Sequence, residues 1–141
     1  MKLIVIDGQG GKMGKAIVEQ LKKAHPELYI IALGTNSLAT SSMLKAGADA
    51  GATGENPVIV NASNADLIIG PVGIVMADAL LGEITPAMAN AVSSSQALKI
   101  LVPTNRCSHY IVGCKSQSLS EHIKEVIEQV ENFCLHTCSR S

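Results

Sequence analysis

Three features of this 141-residue sequence predict an α/β fold with a mostly parallel sheet. Short continuous runs of Ile, Val and Leu recur along the chain, as in strands covered on both faces. Segments with helical spacing lie between them, so strands and helices alternate. The first apolar run breaks into glycines and then resumes as an amphipathic helix, the unit that carries ligands in open α/β sheets.

Residues 3–6 form an aliphatic run ending at Asp7-Gly8 and read as a strand. Met13, Ala16, Ile17 and Leu21 then share one face of a helix about three turns long, with Lys15, Glu19, Lys22 and Lys23 on the other. His25-Pro26 stops that helix, and Tyr29 to Leu33 is the second strand, closed by the turn formers Gly34, Asn36 and Ser37. Residues 38–46 suit a short helix, and "GADAGATGEN" reads as a loop of small residues. Pro57 to Asn61 and Asp66 to Gly70 read as two further strands. Thr85 before Pro86 is a hydroxyl cap before a first-turn proline, so "PAMANAVSSS" is a helix. Leu98 to Val102 is another strand, and Tyr110 to Gly113 a last, weaker one. Ser118 and Glu121 form a capping box before a helix whose apolar face is Leu119, Ile123, Val126, Ile127, Val130 and Phe133. The expected organisation is one domain over residues 1–134, with a disordered tail at 135–141.

Composition narrows the function classes. Hydrophobic residues make up 47% and charged residues 16%, against about 25% charged in average proteins. That is more apolar side chain than a monomer of this length readily buries, so a homo-oligomer is expected. Tyr29, Tyr110 and Phe133 are the only aromatic residues, and the net charge is −1. A nucleic-acid partner is therefore not expected, since both the stacking platforms and the basic patch are lacking. No signal region or membrane-length apolar run is seen, which points to a cytoplasmic protein with no membrane partner. Cys107, Cys114, Cys134 and Cys138 are too sparse for a disulfide scaffold and are expected to be reduced.

"DGQGGKMG" holds four glycines between residues 8 and 14. Each costs roughly 0.5–1 kcal/mol in backbone entropy relative to alanine, so together they imply that something approaches the backbone. A helix N-terminus after such a loop offers unpaired amides and partial positive charge to a phosphate. The spacing is G-x-x-G-x-x-G through Gly8, Gly11 and Gly14, not the standard dinucleotide G-x-G-x-x-G. A Walker loop does not fit, because Gly14-Lys15 is preceded by Gln9 and followed by Ala16 where glycine and a hydroxyl are needed. Nor does the glycine pattern of S-adenosylmethionine enzymes, which from Asp7 would fall on Gln9, Gly11 and Met13.

The remaining candidates lie where other strands end. Asp7 either accepts loop amides or contacts a ligand or magnesium, and both readings stay open. No acid follows the second strand before Asp49, so Thr35, Asn36 and Ser37 are the groups available to a ribose or its 2′-phosphate, leaving NAD or NADP undecided. Gly70, Pro71 and Gly73, and the stretch Pro103 to Cys107, are expected to open on the same crevice. There Asn105 and Arg106 are candidate substrate contacts, Arg106 for an anionic group. Cys107 with His109 is a weak nucleophile pair. Cys134, His136 and Cys138 lack a fourth ligand for a tetrahedral metal and read as a frayed helix end, so no metal is expected. The Tyr-x-x-x-Lys signature of short-chain dehydrogenases is absent, since Cys114 follows Tyr110 at that spacing. On these grounds Gly11→Val is expected to abolish ligand binding while preserving the fold.

"GQGGKMG" resembles the nicotinamide-binding loop of dihydrodipicolinate reductases. That resemblance implies Lys12 near a cofactor phosphate and the amides of Gly11, Lys12 and Met13 facing the pyrophosphate. The second domain of those enzymes, with its histidine- and lysine-containing motif, has no counterpart here. "IDGQGGKMGKA", "IALGTNSLATSSMLKAGADAGATGEN", "IIGPVGIVMADALLGEITPAMA" and "LVPTNRC" together resemble a small bacterial family, domain of unknown function 3842, across nearly the whole chain. Lys12, where that family is expected to carry another glycine, and the cysteine-containing tail depart from the pattern. The sequence thus reads as a single-domain Rossmann-like three-layer sandwich binding a small-molecule nucleotide, NAD or NADP, at residues 8–14. It is either a sensor or binding module, or an oxidoreductase whose active site is shared between subunits.

Overall fold

Alternate side chains of a strand point to opposite faces, and in Leu3–Asp7, strand β1, both faces are covered. Leu3 and Val5 pack on one layer of helices, Ile4 and Ile6 on the other, and all four are fully buried. The structure, a computed structural model, describes residues 1–104 and 109–139. Around β1 stand β2 (Ile30–Gly34), β3 (Ala50–Thr53), β4 (Leu67–Pro71) and β5 (Leu98–Val102). Their order is β3-β2-β1-β4-β5, and every pairing is parallel. Leu3 is in register with Ile30 on one side and Leu67 on the other.

Helices α1 (Lys12–Ala24), α2 (Ser37–Lys45) and α5 (Leu119–Cys138) cover the Leu3 and Val5 face, through Ile17, Leu21, Met43, Ile123, Val126 and Val130. Helices α3 (Glu55–Ala62) and α4 (Pro86–Ser94), with a 3₁₀ turn at Val72–Val75, cover the opposite face through Val58, Ala62, Ile74, Met88 and Val92. The chain is therefore a Rossmann-like α/β sandwich whose winding reverses between β1 and β4. In open α/β sheets the crevice at such a reversal, beyond the carboxyl ends of the strands, is where ligands bind. Among the described residues, no helix is long and apolar enough to cross a membrane.

Three elements differ from the sequence expectation. Pro57 to Asn61 is helical, inside α3, rather than a strand. Pro57 stands in the first turn, where its missing N–H has no intrahelical partner to lose, and the Asn61 side chain donates to its carbonyl at 2.8 Å. A five-residue apolar run is too short for its period to separate helix from strand. Ala50–Thr53, expected to be loop, forms edge strand β3, whose small residues let Gly51 lie against Thr40 and Leu44. Tyr110 to Gly113 is not a strand: the Cys114 amide turns back to the Ile111 carbonyl at 3.2 Å, and Tyr110 and Val112 are exposed. At the C-terminus, α5 runs past the expected domain edge at 134 to Cys138, carrying Cys134 and His136 on the helix.

Helix α1 ends at His25, whose Nε2 lies 2.8 Å from Glu131 of α5 and whose Nδ1 lies 3.3 Å from Glu27. The Glu131 hydrogen bond raises the imidazole above its ordinary value of 6.5, burial opposes that rise, and the Glu27 charge adds to it. A raised histidine stabilises the fold fully below the unfolded value and loses that contribution as pH climbs through the folded one. Denaturant midpoints measured from pH 5.5 to 8.5 are expected to fall across that window in the wild type and to lose that component in His25→Gln.

Candidate functional site

The glycine loop joins the end of β1 to the start of α1 at the reversal in the sheet, and Asp7 holds it from below. The Gly8 amide donates to Asp7 Oδ1 at 2.8 Å and the Gly14 amide to Oδ2 at 2.7 Å, so one carboxylate ties the loop's two ends together. Burial raises the Asp7 carboxyl above its ordinary value of 3.8, the Gly14 and Gly8 amides pull it back down, and the nearby Glu83 charge raises it again. Of the two readings open for Asp7, the structure shows the carboxylate accepting loop amides.

Gly11, in a left-handed conformation at φ 71°, caps α1 and donates its amide to the Gly8 carbonyl at 2.9 Å. A Cβ on Gly11 would sit 2.7 Å from the Ala39 Cα of α2, and one on Gly14 would meet Met43 Sδ at 2.6 Å and Asp7 Cβ at 2.8 Å. These two glycines therefore let α1 approach α2 and β1. Gly10 differs, having nothing within 4 Å of its missing Cβ, and it is exposed. Among the described residues, the amides of Gly10, Lys12 and Met13 have no acceptor, whereas those of Gly8, Gln9, Gly11 and Gly14 are taken. The free amides stand at the positive end of the α1 dipole, with Lys12 and Lys15 exposed beside them.

From above, the loop is closed by a segment that no motif in the sequence marks. The Gln9 amide donates to Glu83 Oε2 at 2.9 Å. The Thr35 hydroxyl, at 3.0 Å, and the Asn36 side-chain amide, at 2.7 Å, both donate to Glu83 Oε1. A Cβ on Gly8 would lie 2.9 Å from Leu80 Cδ1 and 3.3 Å from Glu83 Oε2, so Gly8 makes room for this segment. Asp78, Leu80 and Leu81 all have φ between 56° and 64°, a left-handed conformation costing about 1–2 kcal/mol per residue. The Asp78 amide to the Ile84 carbonyl at 2.7 Å and the Ile84 amide to the Ala79 carbonyl at 3.1 Å close the segment on itself. The available clue was the long irregular connection between β4 and α4, a length usual in functional loops.

The other expected contacts separate into four groups. Thr35 and Asn36 reach the loop but are engaged there: the Thr35 amide donates to the Asp7 carbonyl at 3.0 Å, and Asn36 caps α2 through Ala39 while also donating to the Gln9 carbonyl at 2.9 Å. Ser37 is exposed at the first turn of α2. Gly70, Pro71 and Gly73 are buried against the chain itself: a Cβ on Gly70 would strike the Ile6 carbonyl at 2.4 Å, and one on Gly73 would meet Ala79 at 3.1 Å. Asn105, Arg106 and Cys107 lie outside the described residues. A cavity of about 400 Å³ lies beyond the end of β5, lined by Val72, Pro103, Thr104, Tyr110 and His122 among others, and not at the covered glycine loop.

The sequence model of a family described as Domain of unknown function (DUF3842) matches residues 2–134. No curated protein matches the chain. Among solved structures, one similar chain is titled as a dodecameric FMN-dependent Ubix-like decarboxylase from Escherichia coli O157:H7. It is 19% identical, with a TM-score of 0.47 over 94% of this chain and 76% of that one.

Gly11 is thus a packing position, and Gly11→Val is not the fold-preserving probe the sequence suggested. The left-handed φ and the Ala39 contact are expected to cost about 3–5 kcal/mol together, read as a loss of unfolding free energy in denaturant.

Proposed function

The chain belongs to the Domain of unknown function (DUF3842) family, and from the geometry of its glycine loop we propose that it binds a nucleotide through the phosphates. The observation that carries this reading is the set of unpaired amides on Gly10, Lys12 and Met13 at the α1 N-terminus, beside the open side of Gly10 and at the reversal of the sheet. Amides in that arrangement stabilise an anion through direct hydrogen bonds and the helix dipole. Lys12 and Lys15 add exposed positive charge at the same place.

A binding or sensing role fits better than turnover. Asp7 and Glu83 are the carboxylates at the loop, and both are engaged by donors of the chain itself. General acid or base work requires a group within reach of a reacting proton, whereas these two hold the loop's shape. NAD and NADP are the first ligands to test, because the site sits where dinucleotides bind in sheets of this order. A homo-oligomer is part of the same reading, supported by the exposed Tyr110, Val112, Val60 and Leu135. Sedimentation at micromolar concentration is expected to give a species larger than the 14.7 kDa chain, and a monomer there removes the shared-site version.

Calorimetric titration with NAD, NADP, ATP, GTP and S-adenosylmethionine tests the nucleotide reading. At least one is expected to bind below millimolar concentration. Gly10→Val, which points into open space and leaves the fold intact, is expected to weaken binding about tenfold or more, or by at least 1.4 kcal/mol. No binding by any of the five, or an affinity unchanged in Gly10→Val, overturns the reading.

A further inference from the structure

Strand β5 is an edge of the sheet, paired with β4 on one side and with no strand among the described residues on the other. Such an edge presents unpaired amides and carbonyls, which proteins usually guard with a projecting lysine or a covering element. Lys99 is turned away from that duty, since its Nζ donates to the Ser95 carbonyl at 2.5 Å and to the Ser93 carbonyl at 3.4 Å. Leu98 is left 45% exposed, and Ile100 and Leu101 are only half-buried. A groove of about 410 Å³ runs between this strand and α5, lined by Ile100, Leu101, Val102, Pro103, His122 and Val126 among others.

The arm at residues 109–117, which follows β5 in the chain, carries the opposite features. Tyr110 and Val112 are 91% and 87% exposed, an apolar pair at a turn closed by the Cys114 amide on the Ile111 carbonyl. The arm's charged side chain is Lys115, and it holds no acid. On α5, Glu121 is held in the capping box and Glu131 by His25, whereas Glu125 is exposed and lines the groove. Lys115 lines it too, and among the described residues neither Lys115 nor Glu125 makes an ion pair. An apolar tip with a free cation thus stands next to an apolar groove with a free anion. The surface is complementary to itself in both shape and charge.

We propose that a second copy of this chain docks on this face: Tyr110 and Val112 of each copy seat in the groove along β5 of the other, and Lys115 of each pairs with Glu125 of the other. The proposal rests on the homo-oligomer reading above and names its surface; it does not depend on the phosphate reading. Gly113, Cys114 and Lys115 line the groove of their own copy, so an arm entering a neighbour's groove brings the neighbour's arm to its own. The contact is therefore isologous and closes as a two-fold pair, in which every feature counts twice. A tyrosine buries about 150–250 Å², against roughly 800 Å² per partner in a standard interface. The tip alone is too small, and the reciprocal arrangement covers both arm and groove on each copy.

Sedimentation of the full chain over a range of concentrations reads the self-association of wild type, Tyr110→Ser, Lys115→Glu and Glu125→Lys. All three positions are exposed, so the fold is expected to be unchanged in each. Tyr110→Ser is expected to weaken association about thirtyfold. Each charge reversal alone sets like charges at both ends of the two-fold contact and is expected to weaken it about tenfold. Mixing Lys115→Glu with Glu125→Lys puts opposite charges at both ends again, so the mixed pair is expected to form about tenfold more tightly than either variant with itself. A mixture that associates no better than its components overturns the proposal. A wild-type oligomer unaffected by Tyr110→Ser also overturns it, and leaves the homo-oligomer reading standing at another face. A wild type that sediments as a monomer throughout removes the oligomer reading and the proposal together, and leaves the groove to the chain's own arm or to a different partner. Should a charge variant fail to fold, Tyr110→Ser alone decides, an unchanged association overturning the proposal.

Discussion

Asp7 accepts the Gly8 amide on one carboxylate oxygen and the Gly14 amide on the other, and through that pair it sets both where β1 ends and where α1 begins. The Asp7 carbonyl also receives the Thr35 amide, fixing the exit of β2 against the same point. With α1 held there, Gly14 comes against Met43 and Gly11 against Ala39, so the position of α2 follows. A buried carboxylate costs desolvation unless charge-assisted hydrogen bonds offset it. Here the offset is supplied by the chain's own loop, so the residue most suggestive of ligand chemistry is spent on architecture.

That division runs through the whole loop. Gly8, Gln9, Gly11 and Gly14 place their amides on acceptors within the protein, leaving Gly10, Lys12 and Met13 at the helix start. A run of four glycines therefore serves three purposes. Gly11 and Gly14 permit close helix packing, Gly8 makes room for Leu80 and Glu83, and Gly10 keeps a surface open. The off-register spacing of Gly8, Gly11 and Gly14 reflects this partition: these three positions meet the protein, and the glycine outside the repeat is the one with space beside it.

Buried strands with aliphatic runs were legible in the sequence, because a strand covered on both faces needs apolar side chains at every position. The caps at Thr85 and Ser118 were legible for the same local reason, since hydroxyl, proline and glutamate act within four residues of one another. Edge strand β3 was not, because "AGAT" carries no β-branched run and is fixed by pairing with β2 and by packing on Thr40 and Leu44. Pro57 to Asn61 was ambiguous because Val58, Ile59 and Val60 suit a strand in isolation, and only burial of Val58 and Ala62 against the sheet selects the helix. Asp7 and the glycines were found as a site from their positions, yet Glu83 lies 76 residues beyond Asp7 in sequence and contacts the loop only through the fold. Glu83, carried by the connection after β4, thus meets Thr35 and Asn36 just beyond the end of β2.

Asn36 explains how the loop can keep its form whatever stands above it. Its Oδ1 caps α2 through the Ala39 amide, while its Nδ2 is shared between the Gln9 carbonyl and Glu83. The bond to Glu83 is one of those three; the other two are the cap on α2 and the bond to the Gln9 carbonyl, which joins the start of α2 to the glycine loop. Asp7 beneath keeps both of its amide bonds as well, since neither involves the segment from Met76 to Glu83. Binding groups are most effective when their geometry is fixed before the ligand arrives, because no ordering entropy then opposes association. The loop's lower and lateral supports, Asp7 and Asn36, are thus independent of the bonds that Glu83 makes from above.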